Sequence, residues 1–300
     1  AGILFILGIK GLTKPKTAVR GNMLSALGML LAVVVTLFNI NTVDFSYIVA
    51  GVLVGGAVGA TMALRIQMTS MPQMVALLNG FGGGASLTIA LAEYFTVSAV
   101  APSSFSDLFV PVALNSGAFG VGIEGTIALL AIGLTILIGA VTLTGSLVAF
   151  SKLQELMKKS YGLPGGPIGN GLFLLAALAA VASLLINPGN VTAVVVIVAL
   201  ALLLGLFLVM PIGGADMPVV IALLNSYSGI AAALAGFILG NTVLIIAGSL
   251  VGTSGLILTK IMCVAMNRSL ANVLFGKMAA GGEKIDADEI YAGKVTSAQP

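Results

Sequence analysis

The stretch MPQMVALLN at positions 71–79 returns as MPVVIALLN at positions 217–225. Apolar matches are common in a chain this hydrophobic. A Met-Pro pair followed seven residues later by asparagine is much less common, and both copies have it. The likeness continues past both stretches, where Phe81 matches Tyr227 and Gly83 matches Gly229. The pattern indicates an internal duplication.

Both copies open long apolar runs, and the composition is that of a membrane protein. Hydrophobic residues make up 59% of the 300 residues, charged residues make up 8%, and the mean hydropathy is +1.17. A soluble domain carries about 25% charged residues. The apolar runs are continuous over about 17 to 25 residues, as in membrane-spanning helices, whereas barrel strands alternate at every second residue. The sequence therefore predicts an all-α polytopic membrane protein.

The apolar runs, read against the residues that interrupt them, also predict a topology. They give about nine spans, over 1–11, 22–38, 46–64, 72–95, 124–150, 168–186, 191–210, 217–238 and 242–266. With this count all 13 cations fall on one side of the membrane. The positive-inside rule makes that side cytoplasmic, and it places the N-terminus outside and the C-terminus in the cytoplasm.

Four spans return the chain to its starting side, so the duplicated halves run in the same direction, as in parallel repeats. A weaker echo pairs GSLV at 145–148 with GSLV at 248–251. The predicted order is a first helix with a basic cytoplasmic loop, two four-helix repeats and a polar tail, over 1–20, 21–160, 161–280 and 281–300.

Several kinds of chemistry are excluded by residue counts. The chain has no histidine and one cysteine, Cys263, which excludes an internal disulfide, a cysteine metal cluster and a serine–histidine pair. We predict no metal site. The net charge is +3, but the cations cluster beside the spans, which argues against nucleic acid as a partner and favours lipid.

The duplication places an amide near the bilayer midplane twice. If Ser70 and Asp216 cap their helices, Asn79 and Asn225 lie about 13 Å inside the membrane. The ordinary explanation for either amide is a hydrogen bond between helices. Its recurrence, with Ser226 following the second copy, favours a polar path between the halves.

Small and hydroxyl-bearing residues mark two further helices. Ser146 lies near the cytoplasmic end of the fifth span, where a lone serine often bonds to its own backbone. The last span carries Gly248 and the stretch GTSG at 252–255, which suits close packing or a helix that shifts. No span has a carboxylate at its centre, so in a proton path either another chain supplies a titratable group or water bridges the amides and hydroxyls.

Three functions fit these residues: the proton path of a redox pump, a secondary transporter with parallel repeats, and a passive membrane anchor. A transporter is expected to have a broken helix or a central charge for its solute, and neither is evident. An anchor has no need of repeated midplane amides.

Several stretches carry a resemblance to a known family. They are GGADMPVV at 213–220, LNSYSG at 224–229, GTSG at 252–255, IMC at 261–263, AMNRS at 265–269 and TGSLVAF at 144–150. Over roughly residues 1–278 the chain resembles the membrane domain of proton-translocating NAD(P) transhydrogenase β subunits.

The resemblance implies an enzyme complex that transfers hydride between NAD(H) and NADP(H) on soluble domains and couples this to proton movement. It implies that both cofactors bind outside this chain, that no catalytic residue lies in it, and that 281–300 leads to an absent NADP(H)-binding domain. It also implies an α subunit as partner, a homodimeric complex and location in the inner membrane.

By the same resemblance, individual residues acquire expected roles. The proton-path candidates are Asn79, Ser146, Asn225, Ser226 and Ser254. The residues expected to communicate with the NADP(H) domain are Asp216 and Arg268. The glycines expected to serve packing or gating are Gly248, Gly252 and Gly255. Many family members have a histidine at the position of Asn79, so we expect a membrane helix of the α subunit to supply one here.

Overall fold

The computed structural model describes residues 1–39, 45–99, 123–157 and 166–275, and over these residues it contains helices and no strand. The helices are α1 (Gly2–Leu12), α2 (Pro15–Asn39), α3 (Ser46–Arg65), α4 (Met71–Ala99), α5 (Ile123–Leu153), α6 (Pro167–Ile186), α7 (Val191–Val209), α8 (Met217–Ile238), α9 (Thr242–Ala265) and α10 (Leu270–Phe275). Short 3₁₀ turns, Met68–Ser70 and Gly214–Asp216, precede α4 and α8.

Eight of these helices, α2 to α9, are long and apolar enough to cross a membrane. This confirms the predicted all-α polytopic membrane fold. The described part of α1 has 11 residues, or about 17 Å at 1.5 Å per residue, which is shorter than the roughly 30 Å hydrocarbon core. The nine-span count and the sidedness stay predictions. The polar tail, 281–300, lies outside the described residues.

The connections between the later helices follow from local sequence. Asn190 and Asn241 cap α7 and α9. Each side-chain Oδ1 accepts a hydrogen bond from the backbone amide three residues later, that of Ala193 or Leu244. Gly240, with φ of 61°, ends α8, and the next amide, that of Asn241, donates to Gly236 O at 2.8 Å. Asn241 thus closes one helix and opens the next, so α8 and α9 form a tight antiparallel pair.

The buried core is built from α4 to α9, with α5 at its centre in contact with α4, α6, α7 and α8. Helix α8 packs on α4, α5 and α9. Helices α1 and α2 form a hairpin whose first helix touches α9. Helix α3 has no buried residue. The buried interior of the described residues is therefore formed by α4 and α5, the last two helices of the first predicted repeat, and by α6 to α9, the second predicted repeat.

The same close contacts recur in the α4–α5 pair and the α8–α9 pair. A methyl group on Gly139 would lie 2.7 Å from Gly83 O, and one on Gly248 would lie 2.7 Å from Gly229 O. These distances are too short for a Cβ atom, so both pairs cross where two glycines meet.

A contact between a glycine and a serine also occurs in both helix pairs, but the glycine is on the first helix of one pair and on the second helix of the other. In the first pair a methyl group on Gly80 would lie 3.2 Å from Ser146 Cβ. In the second pair one on Gly255 would lie 2.9 Å from Ser226 Cβ. A glycine faces a serine in each, on opposite members of the pair.

These contacts change one part of the sequence interpretation. They align Gly139 with Gly248, whereas the weaker echo aligned Gly145 with Gly248. Gly145 faces Leu224 and Val209 instead. The two GSLV stretches therefore do not occupy equivalent positions in the two helix pairs. Four small or apolar residues in a row match by chance easily in such a chain.

Candidate functional site: a polar seam between three helices

Polar side chains from three helices meet in the core. We call this group the polar seam; it consists of Asn79 on α4, Thr142 and Ser146 on α5, and Asn225 and Ser228 on α8. The seam lies where α4, α5 and α8 pack on one another. It contains three of the predicted proton-path residues.

Asn79 joins α4 to α8. Its side chain is 7% exposed, and Nδ2 donates to the backbone oxygen of Ile221 at 3.2 Å. Ile221, Asn225 and Ser228 have the spacing of residues on one helix face. Asn79 is therefore bonded to α8 one turn before Asn225.

Glycines on α4 make room for the hydroxyls of the other two helices. Methyl groups would lie 3.2 Å from Ser146 Cβ if placed on Gly80, and 2.6 Å from Ser228 Oγ if placed on Gly82. The hydroxyl-bearing side chains therefore pack directly against the α4 backbone. The glycine run of α4 was not assigned this role from the sequence, because its contacts are with distant helices.

Ser146 does not behave as a lone helical serine usually does. It is 0% exposed, and its Oγ has no hydrogen-bond partner among the described residues. Thr142, one turn earlier, donates to Ile138 O at 2.6 Å in the usual way. A buried hydroxyl without a partner costs about 1–3 kcal/mol, so Ser146 has an unused capacity to donate a hydrogen bond.

The remaining predicted path residues lie elsewhere. Ser226 is buried and donates to Gly252 O at 2.7 Å, across the α8–α9 contact. Ser254 is exposed and donates to Val251 O of its own helix at 2.9 Å. Asn225 is partly buried. The structure thus bonds Asn79 to Ile221, one turn before Asn225, and packs Ser146 against Gly80, the residue after Asn79. It places Ser226 one interface away and leaves Ser254 apart.

Asp216 forms an ion pair at the end of the bundle where α8 begins. It occupies the predicted N-cap position but makes no capping bond with its side chain, contrary to the sequence interpretation. The carboxylate is 4% exposed, and its Oδ1 lies 3.6 Å from Arg268 Nε. The Asp216 carboxylate does not cap α8, because it points to the guanidinium group of Arg268.

The end of α9 positions Arg268. Asn267 has φ of 52°, a left-handed conformation that asparagine tolerates, and the amide of Arg268 donates to Cys263 O at 2.9 Å. These bonds form the left-handed helix end described for many helices. This helix end places Arg268 near Asp216, at the start of α8.

Lys152 makes a contact that the sequence did not predict. Its Nζ donates to Met210 O, and to Ile212 O at 2.8 Å. Both acceptors follow Val209, the last residue of α7, so the ammonium group fixes the segment that leads from α7 to Asp216. The sequence shows that Lys152 lies in the last turn of α5. It does not identify the acceptors, because they are distant along the chain.

The seam has polar groups that bond but do not titrate near neutral pH. Its five members are amides and hydroxyls, which can hold water molecules in a row or orient a partner's side chain. Over the described ranges, no group of three or more His, Cys, Asp or Glu residues is placed to hold a metal ion.

Comparison with known proteins gives a consistent result. Residues 1–300 match the family described as NAD(P) transhydrogenase beta subunit. Similar proteins include two curated relatives named NAD(P) transhydrogenase subunit beta, from Rhodospirillum rubrum and one of its strains. Each is 40% identical over 286 residues, covering 94% of this chain and 57% of the relative. The chain therefore spans little more than half the length of these relatives.

Proposed function

Because the chain belongs to the NAD(P) transhydrogenase beta subunit family, we propose that it is the membrane part that couples hydride transfer to proton movement. The hydride passes between NAD(H) and NADP(H) on soluble domains outside this chain. The observation that carries the proposal is the polar seam. In it a buried amide is bonded across helices, beside a buried hydroxyl that has no hydrogen-bond partner within the described part of the chain.

Protons pass along the seam through hydrogen bonds to Asn79, Ser146 and Asn225, while Ser226 holds α8 against α9. The titratable group comes from outside the described residues, and we assign it to a histidine on a membrane helix of the α subunit. Ser254 stays a prediction that the geometry does not support, because its hydroxyl is exposed and bonded within its own helix. Family membership gives the secondary-transporter alternative no support.

Coupling runs along α8. This helix has Asp216 at its start and Asn225 in its middle, so a shift at the seam moves the partner of Arg268. Lys152 links the end of α5, the helix of Ser146, to the segment before Asp216. Hydrogen bonds and an ion pair therefore connect the seam to the end of the bundle that we assign to the cytoplasmic, NADP(H)-facing side of the inner membrane.

The proposal is tested in the complete enzyme in sealed vesicles. We expect Asn225→Leu and Ser146→Ala to lower proton-driven reverse transhydrogenation several-fold, because each removes a polar group from the seam. The measurements are the rate of NADPH formation and dye-reported proton movement, with NADP(H) affinity by titration unchanged. Thr61→Ala, which removes an exposed hydroxyl bonded to its own helix, is the control. Full coupled rates in both seam variants would remove the seam from the path.

The ion pair has a different expected effect. Arg268→Gln leaves the buried carboxylate of Asp216 without its partner, which is strongly unfavourable. We expect several-fold altered NADP(H) affinity in the complete enzyme, measured by binding titration, and partial recovery in Asp216→Asn/Arg268→Gln. Lys260→Gln, which removes an exposed cation from α9, the helix that precedes Arg268, should bind as the unmodified enzyme does. An unchanged affinity in Arg268→Gln would contradict the role.

A further inference from the structure

A partly open cavity of about 330 Å³ lies on the side of α5 away from α4. Its walls come from α5, α6, α7, α8 and α10, and most are apolar, including Leu137, Val141, Leu204 and Ile230. Small-molecule sites in proteins have volumes of about 300–1,000 Å³. The cavity therefore has the size and the surface of a site for one apolar ligand.

The cavity has a definite polar end. Asn170 lines it near the start of α6, and this residue is 7% exposed. Its Oδ1 has no hydrogen-bond partner among the described residues, and its Nδ2 makes one long bond, 3.5 Å, to Phe207 O. A buried amide oxygen without a partner is unfavourable. The χ2 torsion of asparagine is broad, so the amide turns toward a ligand at small cost.

The depth of the lining residues gives the cavity an orientation. Asn170 lies within one turn of the start of α6, at the level of the membrane interface. Ile230 lies about 20 Å along α8 from Met217, well inside the membrane. Leu174, on the lining, is an exposed residue of α6. A ligand therefore enters sideways from the bilayer, with its polar end at the interface and its apolar part pointing inward.

We propose that the cavity binds a membrane amphiphile with a single hydrocarbon chain whose polar end carries a hydroxyl group. The hydroxyl lies at Asn170, and the chain runs toward Leu137 and Ile230. A hydroxyl both donates and accepts, so it satisfies Oδ1 and the second N–H of the amide. Tyr227, two residues after Asn225, also lines the cavity, so the ligand touches the helix of the seam.

Gly171 supplies a variant that fills the cavity without a clash. It lines the cavity, and a Cβ atom there would meet nothing within 4 Å. Gly171→Leu therefore places a side chain in open space, and it replaces a poor helix former with a good one. Gly56→Leu, on α3, is the matched control, because Gly56 also has nothing within 4 Å and is not part of the cavity.

The test uses the complete enzyme in phosphatidylcholine vesicles with hexadecanol that carries a photoactivatable diazirine in its chain. Labelled peptides are mapped by mass spectrometry. We expect labelling of α6 and α7 at Leu174 and Leu204, lowered several-fold by Gly171→Leu and unchanged by Gly56→Leu. Because binding is measured directly, the result does not depend on the proposed proton path.

A second arm keeps the test valid if Gly171→Leu does not fold. The methyl ether of the same probe accepts but cannot donate, so it should label the unmodified enzyme several-fold less at these positions. In Asn170→Ala the alcohol and the ether should label equally. Equal labelling of the unmodified enzyme by both probes, or labelling restricted to outward residues such as Leu172 and Leu175, would overturn the proposal.

Discussion

Replacing Gly229 by alanine should destabilise the protein, because the added methyl group collides with the backbone of α9. The new Cβ would lie 2.8 Å from Gly252 Cα and 2.9 Å from Gly248 O. Both neighbours are backbone atoms, so the helices must separate to make room. Overpacking of this kind costs about 1–3 kcal/mol, and 1.4 kcal/mol is about tenfold in an equilibrium constant.

Whether Gly229→Ala lowers or raises the stability distinguishes the effect of packing from that of helix propensity. Alanine is favoured over glycine in a helix by about 1 kcal/mol, so any loss of stability comes from the close approach. The measurement is the apparent Tm of the detergent-solubilised complex. Gly56→Ala, where a Cβ meets nothing within 4 Å, should keep or raise the Tm. A Tm for Gly229→Ala equal to that of the control would contradict the close α8–α9 contact.

Membrane helices show why this contact matters. Between helices in lipid the hydrophobic effect offers little, so association depends on van der Waals packing and hydrogen bonds. Gly248, Gly252 and Gly255 all face the α8 backbone, where Ser226 adds its bond to Gly252 O. Their predicted role in packing agrees with this geometry, and a role in gating stays a prediction.

The sequence predicted what depends on local pattern and on repetition. The predicted span 72–95 lies within Met71–Ala99, and the span 217–238 coincides with Met217–Ile238. Apolar runs define these helices, because lipid leaves the backbone no other way to satisfy its polar groups. The repeated asparagine likewise predicted a polar contact between the two copies, and Asn79 does bond to Ile221, one turn before Asn225. The depth of these residues in the membrane stays a prediction.

What the sequence could not predict depends on distant partners. Lys152 was one cation among 13, and only the fold shows that it bonds to the segment between α7 and α8. Asp216 occupies an N-cap position, yet its side chain turns to Arg268, because an opposite charge lies within reach. A lone helical serine often bonds to its own backbone, but Ser146 packs against Gly80 and its Oγ has no hydrogen-bond partner among the described residues.

Replacing Asn79 by leucine should have the largest effect of any change in the seam. Leucine has the same number and branching of side-chain heavy atoms as asparagine, but it cannot donate to Ile221 O, so α4 and α8 lose this bond one turn before Asn225. A lost hydrogen bond in a buried site costs about 1–1.5 kcal/mol. We therefore expect proton-driven reverse transhydrogenation to fall about tenfold.

Asn79→His distinguishes loss of the bond from a change of shape. An imidazole N–H can donate to the same carbonyl, so this variant should retain more coupled activity than Asn79→Leu. It also adds a group that titrates between about pH 5 and 8, which should introduce a new pH dependence of the coupled rate. The control is Thr88→Val, which removes an exposed hydroxyl bonded within α4. If leucine and histidine give the same rate at every pH, the amide at this position fills space and takes no part in proton movement.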